Sequence, residues 1–363
     1  MYYREVEVLR AESIATAGTK TVDINITDPI SKLSVVWKKT NSDRTPVAHP
    51  GKIVKNIVVC DGADVLFSMN GQDAQAMAYF TENKQPASMI NYETGQWSMQ
   101  IAEIKFGRML YDEMLALDPK RFSNLQIKVE HDLALGGAGG TVADLSIYAH
   151  CFDEKVIEPV GYLYNKEIYS FLPVANTWYY IDIPTDYPVR AIMFGANECE
   201  DGPEYNIANL KLTENQGKHI LVESAMERYL FQSSAYYDPW NDMILAKTAA
   251  ATTGLTAYVT PHWERIAHIK NTAAPAAVMC NSSAGCAVSL QTATAAYVVQ
   301  GMVFGHNPFG QTFLKTFGGE KIEDCWQIAY AGSGRLELQA GAGPDLDEYV
   351  RVFTQQIRTY QRG

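Results

Sequence analysis

The feature that most constrains the fold is an order of short β-like segments that occurs twice along the chain. In the first half, β-like runs lead to a helix-forming stretch after Gly71, and further runs close the half at residues 142–151. The second half repeats that order, with a helix-forming stretch at 224–231 and a closing run at 349–353. Because period-two alternation of apolar and polar residues is typical of half-buried strands, the chain is predicted to be mainly β and internally duplicated.

Six pairs of segments support the duplication through a shared pattern and a shared place in the order. The pairs are 22–26 with 180–184, 34–37 with 191–194, 56–59 with 209–212, 65–67 with 220–222, 97–105 with 296–303, and 125–127 with 336–338. The members of the fifth pair are each followed by Phe-Gly. The offset between the copies grows along the chain, which predicts an insertion in the second copy.

Short strands in series with one helix per half favour antiparallel sandwiches, since a doubly wound parallel sheet needs a helix after almost every strand. The predicted fold class is therefore all-β, with two tandem jelly-roll β-sandwiches that each contain a short embedded helix. We expect the first sandwich at 1–157, with 1–18 as an arm. The second is expected at 158–363, with the insertion at about 236–295.

Composition argues against several classes of function. Lys and Arg number 30 against 41 Asp and Glu, a formal net charge of −11. An acidic chain does not attract phosphate backbones, so direct sequence-specific nucleic-acid binding is not expected. The chain has no apolar run of about 18 residues and its N-terminus lacks the apolar core of a signal peptide, so we expect synthesis in a cytosol.

The six cysteines are scattered, without a disulfide framework or a CxxC metal pair. We therefore expect buried free thiols. Cys280 and Cys286 are close in sequence, and a loop disulfide between them is the alternative.

The histidines give no convincing metal site. His131 and His150 are expected on neighbouring strands of one hairpin, where they would be able to meet, but no carboxylate or cysteine stands at ligand spacing. His262 and His268 do not have the HExxH spacing that places two ligands on one helical face. We therefore predict no zinc site.

Other familiar motifs are also incomplete. Residues 18–21 end like a phosphate loop but lack the earlier glycine, and the glycine cluster at 136–140 has no helix after it to bind phosphate. Two acidic clusters are present, Asp345 with Asp347 and Glu348, and Glu198 with Glu200 and Asp201. Calcium binding near the first cluster stays open. No catalytic, cofactor-binding or metal-ligating residue is predicted, and the chain is not expected to be an enzyme.

One segment, 229–240, is dense in Tyr, Phe and Trp. Aromatic residues are enriched in protein–protein interfaces, and they also fill ordinary cores. The sequence leaves both readings open.

The duplicated pattern resembles the double jelly-roll major capsid proteins of tailless icosahedral bacteriophages with an internal membrane, a lineage distantly related to the adenovirus hexon. The segments 106–108, 117–119 and 122–127 resemble the first jelly roll of such coat proteins. The resemblance covers the chain as a pattern rather than through a diagnostic motif.

The resemblance implies a structural virion protein that forms pseudo-hexagonal homotrimers tiling an icosahedral capsid, assembled in the host cytoplasm. It implies neighbouring capsomers, penton and minor capsid proteins as partners, and an internal membrane near the shell base, towards which the termini and the 1–18 arm would lie. The insertion would be an outward tower or an intersubunit arm. Two alternatives stay open: a two-domain β-sandwich carbohydrate-active enzyme or lectin, and a tail, spike or scaffold component.

Overall fold

The computed structural model describes residues 2–197, 201–247, 255–271, 279–282, 286–291, 298–315, 321–344 and 348–360. In chain order the strands are β1 (Tyr3–Ile14), β2 (Ala17–Asp23), β3 (Ile30–Thr40), β4 (Val54–Asp61), β5 (Asp64–Met69), β6 (Ser88–Asn91), β7 (Trp97–Lys105), β8 (Leu125–Asp132), β9 (Val142–Phe152), β10 (Gly161–Phe171), β11 (Trp178–Asp182), β12 (Val189–Gly195), β13 (Ile207–Glu214), β14 (His219–Ala225), β15 (Trp240–Lys247), β16 (Leu255–Tyr258), β17 (His262–Asn271), β18 (Met279–Ser282), β19 (Ala287–Gln291), β20 (Val298–His306), β21 (Thr312–Leu314), β22 (Gly334–Ala340) and β23 (Val350–Thr359). The α-helices of the described residues are α1 (Gly71–Glu82), α2 (Pro203–Asn206), α3 (Met226–Ser233) and α4 (Ile328–Ala331).

The strands form two sandwiches with the same internal order. In the first, the order β1-β9-β3-β7 faces β2-β8-β4-β5. In the second, β10-β23-β12-β21 faces β11-β22-β13-β14. A helix follows the fourth facing strand of each, α1 after β5 and α3 after β14. The prediction of two tandem jelly rolls with an embedded helix is confirmed.

Irregular steps in strand pairing recur at matching places in the two sandwiches. The register shifts are at Glu7/Leu9 and Glu167/Tyr169, at Ile30/Lys32 and Val189/Ala191, at Val54/Asn56 and Ile207/Asn209, and at Val59/Cys60 and Leu212/Thr213. A β-bulge inserts one residue on one strand and is a specific feature of a ladder. Four shared bulges therefore align the two copies residue by residue.

This alignment tests the pairs of segments read from the sequence. It matches Asn56 with Asn209 and Phe67 with Val222, as predicted. It also matches Lys32 with Ala191, so the predicted pairing of 34–37 with 191–194 has the right strands but is two residues out of register. A two-residue slip keeps the inward and outward faces, so the sequence pattern does not reveal it.

The predicted match of 97–105 with 296–303 is wrong. Residues 296 and 297 lie outside the described residues, and β20 pairs with β15 and β17, not with β12. The strand that pairs with β12, as β7 pairs with β3, is β21. The patterns of β20 and β21 do not show which of the two pairs with β12, because β12 is more than 100 residues away in the sequence.

Strand β1 is an integral part of the first sandwich rather than a free arm, because it pairs with β9 from Tyr3 to Ile14. The extra strands of the second half begin at β15 and end at β20, close to the predicted insertion. They continue the first sandwich's sheet in the order β7-β6-β15-β20-β17, through a parallel pairing of Ile244 with Ile90. Strands β16, β19 and β18 form a separate small sheet. The domain boundary at 157/158 stays a prediction.

The two ends of the sandwiches differ. The chain termini lie together at one end, where Asp153 donates its backbone N–H to Tyr2 and Tyr360 donates to Val160. The direction of β6 and β15 places the Lys247 end of the insertion at the opposite end. The insertion therefore leaves the sandwiches on the side away from the termini.

Candidate assembly surface

Helix α1 lies at the junction of the two sandwiches. The Asn70 side chain accepts a hydrogen bond from the N–H of Asp73 and caps the first turn, and Asn83 ends the helix in the left-handed conformation at φ 53°. All residues of the helix except Glu82 are buried, because sheets lie on both sides of it. Because α1 packs against both sandwiches, it restricts how the two can be oriented relative to each other.

A cluster of buried polar side chains joins α1 to the second sandwich. Asp73 is fully buried and accepts hydrogen bonds from Arg351 Nη1 at 2.9 Å and Gln311 Nε2 at 3.0 Å. Further along the helix, Gln355 Nε2 donates to Thr81 Oγ1 and to Asn165 Oδ1, both at 3.0 Å. Buried polar groups that satisfy one another favour one relative arrangement over the alternatives.

The electrostatics of this cluster centre on Asp73. Burial raises the pKa of its carboxyl group to about 6, although Arg351 and the hydrogen bond from Asn197 act in the opposite direction. At neutral pH the Asp73 carboxyl group is therefore ionised, and its ionisation lowers the stability of the folded protein.

Aromatic packing completes the junction. Phe80 stacks on Phe313 of the second sandwich with 5.1 Å between ring centroids and 9° between planes. Tyr79 donates its hydroxyl to the backbone carbonyl of Asp238 and packs against Trp240 at 5.4 Å. Phe80 is only 3% exposed as a result.

The second sandwich presents the equivalent surfaces uncovered. Among the described strands β14 is an edge strand; its Ile220 is 46% exposed, and Phe231 on α3 is 69% exposed. Tyr236 beyond α3 is 68% exposed. An edge strand with exposed apolar side chains is a template for pairing with another chain.

A groove of about 930 Å³ runs along this uncovered region. It is lined by the β14 segment from Leu221 to Ser224, by Tyr229, Tyr236 and Tyr237, by Phe80 and Phe313, and by polar and charged residues that include Arg108 and Lys315. The aromatic segment predicted from the sequence divides here: Leu230 and Trp240 belong to cores, whereas Phe231 and Tyr236 lie on the surface.

Among the described residues, no helix lies over the outer face of β3 and β9, and most side chains on that face stay partly exposed. The side chains of β3 alternate, so that Leu33 and Val35 fill the core while Lys32 and Val36 point outward. Lys32 Nζ bonds Glu103 at 2.5 Å, and Glu103 also contacts Lys105 at 3.4 Å. Burial opposes ionisation of Glu103, but the two lysines outweigh it and lower its pKa.

The histidines singled out from the sequence do not come together. The expectation that His131 and His150 meet is wrong, because β8 and β9 belong to opposite sheets and pair with different strands. His262 lies opposite His306 on β20, while the side chain of His268 lies outside the described residues. In the described part of the chain no group of three or more His, Cys, Asp or Glu side chains is placed to hold a metal ion.

Of the acidic clusters, Asp345, Asp347, Glu198 and Glu200 lie outside the described residues. Glu348 forms an ion pair with Lys52, with 2.7 Å between Oε1 and Nζ.

Cys60, Cys151 and Cys325 are buried free thiols, as predicted. Cys286 is instead disulfide-bonded, and the side chain of its partner lies outside the described residues. The expectation of a free thiol is wrong for Cys286.

The inter-sandwich cluster was not found from the sequence. Asp73 and Arg351 are 278 positions apart, and neither belongs to a motif. The nearest signal was the helix-forming stretch after Gly71, which contains Asp73. No described helix is long and apolar enough to cross a membrane.

No family model and no curated protein matches the sequence. Solved structures match it over nearly its whole length. The major capsid protein of Sulfolobus Turreted Icosahedral Virus (STIV) matches with a TM-score of 0.58 at 11% identity, covering 98% of this chain and 97% of that one. The major capsid protein of bacteriophage PM2 matches with a TM-score of 0.53 at 10% identity, covering 99% and 100%. The PBCV-1 virus capsid matches with a TM-score of 0.51 at 10% identity, covering 98% and 93%. This chain has the fold of the double jelly-roll major capsid proteins.

Proposed function

We propose that this chain is the major capsid subunit of a virus, a structural virion protein located in the capsid, without catalytic activity. The observation that carries the proposal is the length of the match. Both sandwiches, their order and their connection correspond to the STIV and PM2 capsid proteins from end to end. Similarity confined to one sandwich would support only a generic β domain.

The proposed assembly is a homotrimer with a pseudo-hexagonal outline that tiles an icosahedral shell. Two similar sandwiches per chain, repeated three times, give six similar units around one axis. A rigid junction is needed for such a unit, and the buried cluster around Asp73 and Gln355 supplies it. Uncovered lateral surfaces on both sandwiches support contact between copies.

The same proposal orients the subunit. The termini lie at one end and the insertion leaves at the other. We place the terminal end towards the particle interior and an internal membrane, and the insertion on the outside as a tower. Penton and minor capsid proteins are the proposed further partners, and assembly is placed in the host cytoplasm.

The test is the mass of the purified protein by light scattering, followed by negative-stain imaging of the same material. The proposal predicts a trimer with hexagonal outlines, or closed shells. A protein that stays monomeric at all accessible concentrations, and shows no such outlines, would contradict it.

A further inference from the structure

We infer that neighbouring copies join by repeating the junction found inside each chain: β1 of one copy adds in parallel to the open edge of β14 of the next. The inference rests on the proposed function, because it requires copies of the chain to meet. It goes further by naming the two surfaces and their register.

The first step is the junction within the chain. The outer edge of β5 in the first sandwich is occupied by β10, the first strand of the second sandwich. The pairing is parallel and places Asn165 beside Phe67. Through this pairing, the β10-β23-β12-β21 sheet of the second sandwich continues the β2-β8-β4-β5 sheet of the first.

The second step is the equivalence of the strands. By order and by bulge position, β14 corresponds to β5 and β1 corresponds to β10. In the described part of the chain, β14 pairs only with β13 and β1 only with β9. Each therefore has one open edge, and these are the two edges that a repeat of the junction would join.

The third step is the register. The bulges match Phe67 with Val222 and Asn165 with Glu5. If the junction repeats, Val222 of one copy lies beside Glu5 of the next. The Cα atoms of such neighbours on adjacent strands are about 5 Å apart, within the range that a disulfide spans.

The helices give a second, independent line of support. Inside the chain, α1 covers the outer face of β12 and β23, and Phe80 is 3% exposed there. Helix α3 holds the place in the second sandwich that α1 holds in the first, and Phe231 on it is 69% exposed. The face that corresponds to β12 and β23 is the outer face of β3 and β9, over which no helix of the described residues lies. In the proposed interface α3 lies over that face of the next copy.

The interface is heterologous, since different surfaces of the two copies meet. Such a contact closes into a ring only if the rotation between successive units is right, and otherwise builds open filaments. Going from one copy to the next crosses two junctions, one inside the chain and one between copies. If the two junctions are alike, the first one already supplies half of the rotation. Three copies close the ring when each junction turns by about one sixth of a circle.

Cysteine cross-linking tests the register. The double variant Glu5→Cys with Val222→Cys is oxidised at low protein concentration and analysed on non-reducing gels. We expect covalent dimers and trimers that disappear on reduction. The matched control pairs Val222→Cys with Glu12→Cys, seven positions further along the same strand, and should stay unlinked. The unmodified protein, whose described free thiols are buried, provides the background.

A second variant tests the helix surface. Phe231→Asp should convert the trimer to monomer in light scattering, while Tyr330→Asp, at a residue that is 90% exposed outside the proposed interface, should leave the trimer intact. A trimeric protein that does not cross-link through residues 5 and 222, and that tolerates Phe231→Asp, would overturn this interface and leave the proposed function standing. A monomeric parent protein would overturn both.

Discussion

Strands β3 and β12 hold the same place in the two sandwiches, yet their surroundings differ. Along β3, the outward-facing residues Lys32, Val36, Lys38 and Thr40 are half-buried between buried core residues, and only the small Ser34 among them is buried. Along β12, all seven residues are buried, because α1 of the first sandwich covers the outer face. The position occupied by Lys32 on β3 is occupied by Ala191 on β12. The same strand position thus has an outer face that is covered by a helix in the second sandwich and partly exposed in the first. The difference shows how much burial a neighbouring sandwich adds.

The edges show the same contrast. The edge of β5 is completed by β10, whereas the edge of β14 is open among the described residues. One of these two equivalent edges is therefore filled within the chain and the other is open, which is the arrangement that the proposed ring requires.

Truncation of one phenylalanine on each of the two equivalent helices should separate the covered helix from the uncovered one most clearly. Phe80→Ala removes a buried ring that stacks on Phe313 and should lower the free energy of unfolding of the isolated subunit by about 4 kcal/mol. Phe231→Ala should change it by less than about 0.5 kcal/mol, because the ring is 69% exposed. Denaturant unfolding of dissociated subunits measures both. Equal effects would mean that α1 and α3 do not differ in the way described.

Exchange of the residue types on β3 and β12 should have unequal costs. Ala191→Lys places a charge without a partner against α1 and should destabilise the protein by about 3 kcal/mol. Lys32→Ala should cost about 1 kcal/mol or less, because Glu103 keeps Lys105 as a partner. Thermal unfolding of the two variants beside the parent checks this. A tolerated Ala191→Lys would show that the outer face of β12 is not closed by α1.

The junction should depend on pH through Asp73. Its folded-state pKa of about 6 lies above the ordinary aspartate pKa of 3.8, so the folded protein binds the proton more tightly than the unfolded chain does. The cost of ionisation is fully present above pH 6 and is lost as the pH falls towards 4. Relative to Asp73→Asn, the parent should therefore gain about 1 kcal/mol between pH 7 and pH 5.

Several charged and polar groups face Asp73 across the junction, namely Arg351, Gln311, Asn197 and the more distant Glu167. Parallel unfolding curves of parent and variant at both pH values isolate the Asp73 contribution. A gain for the parent on raising the pH would contradict the assigned direction.

Much of the fold follows from the sequence. The β-like runs read from the sequence fall on β4, β5, β11, β13 and β14 and only on the last residues of β2, which ends at Asp23. Helices α1 and α3 are recognisable from their composition and place. The match of Asn56 with Asn209 holds to the residue. What failed depends on partners distant in the chain. Strand β20 has the pattern of any strand, and only its pairing with β15 and β17 places it in the insertion.

The candidate surface was less predictable. The density of aromatic residues at 229–240 marked the right region, but burial separates Trp240 from Phe231 only in three dimensions. The Asp73 cluster has no sequence signal, since each polar residue in it becomes unusual only by being buried beside the others.

A cryo-electron microscopy map of the assembled protein, at a resolution that traces strands, tests the β1–β14 interface most directly. We expect β1 of one copy to run parallel to β14 of the next, with Glu5 beside Val222 and α3 over the neighbouring outer face of β3 and β9. A map in which copies meet through other surfaces, and the edge of β14 stays open, would contradict it.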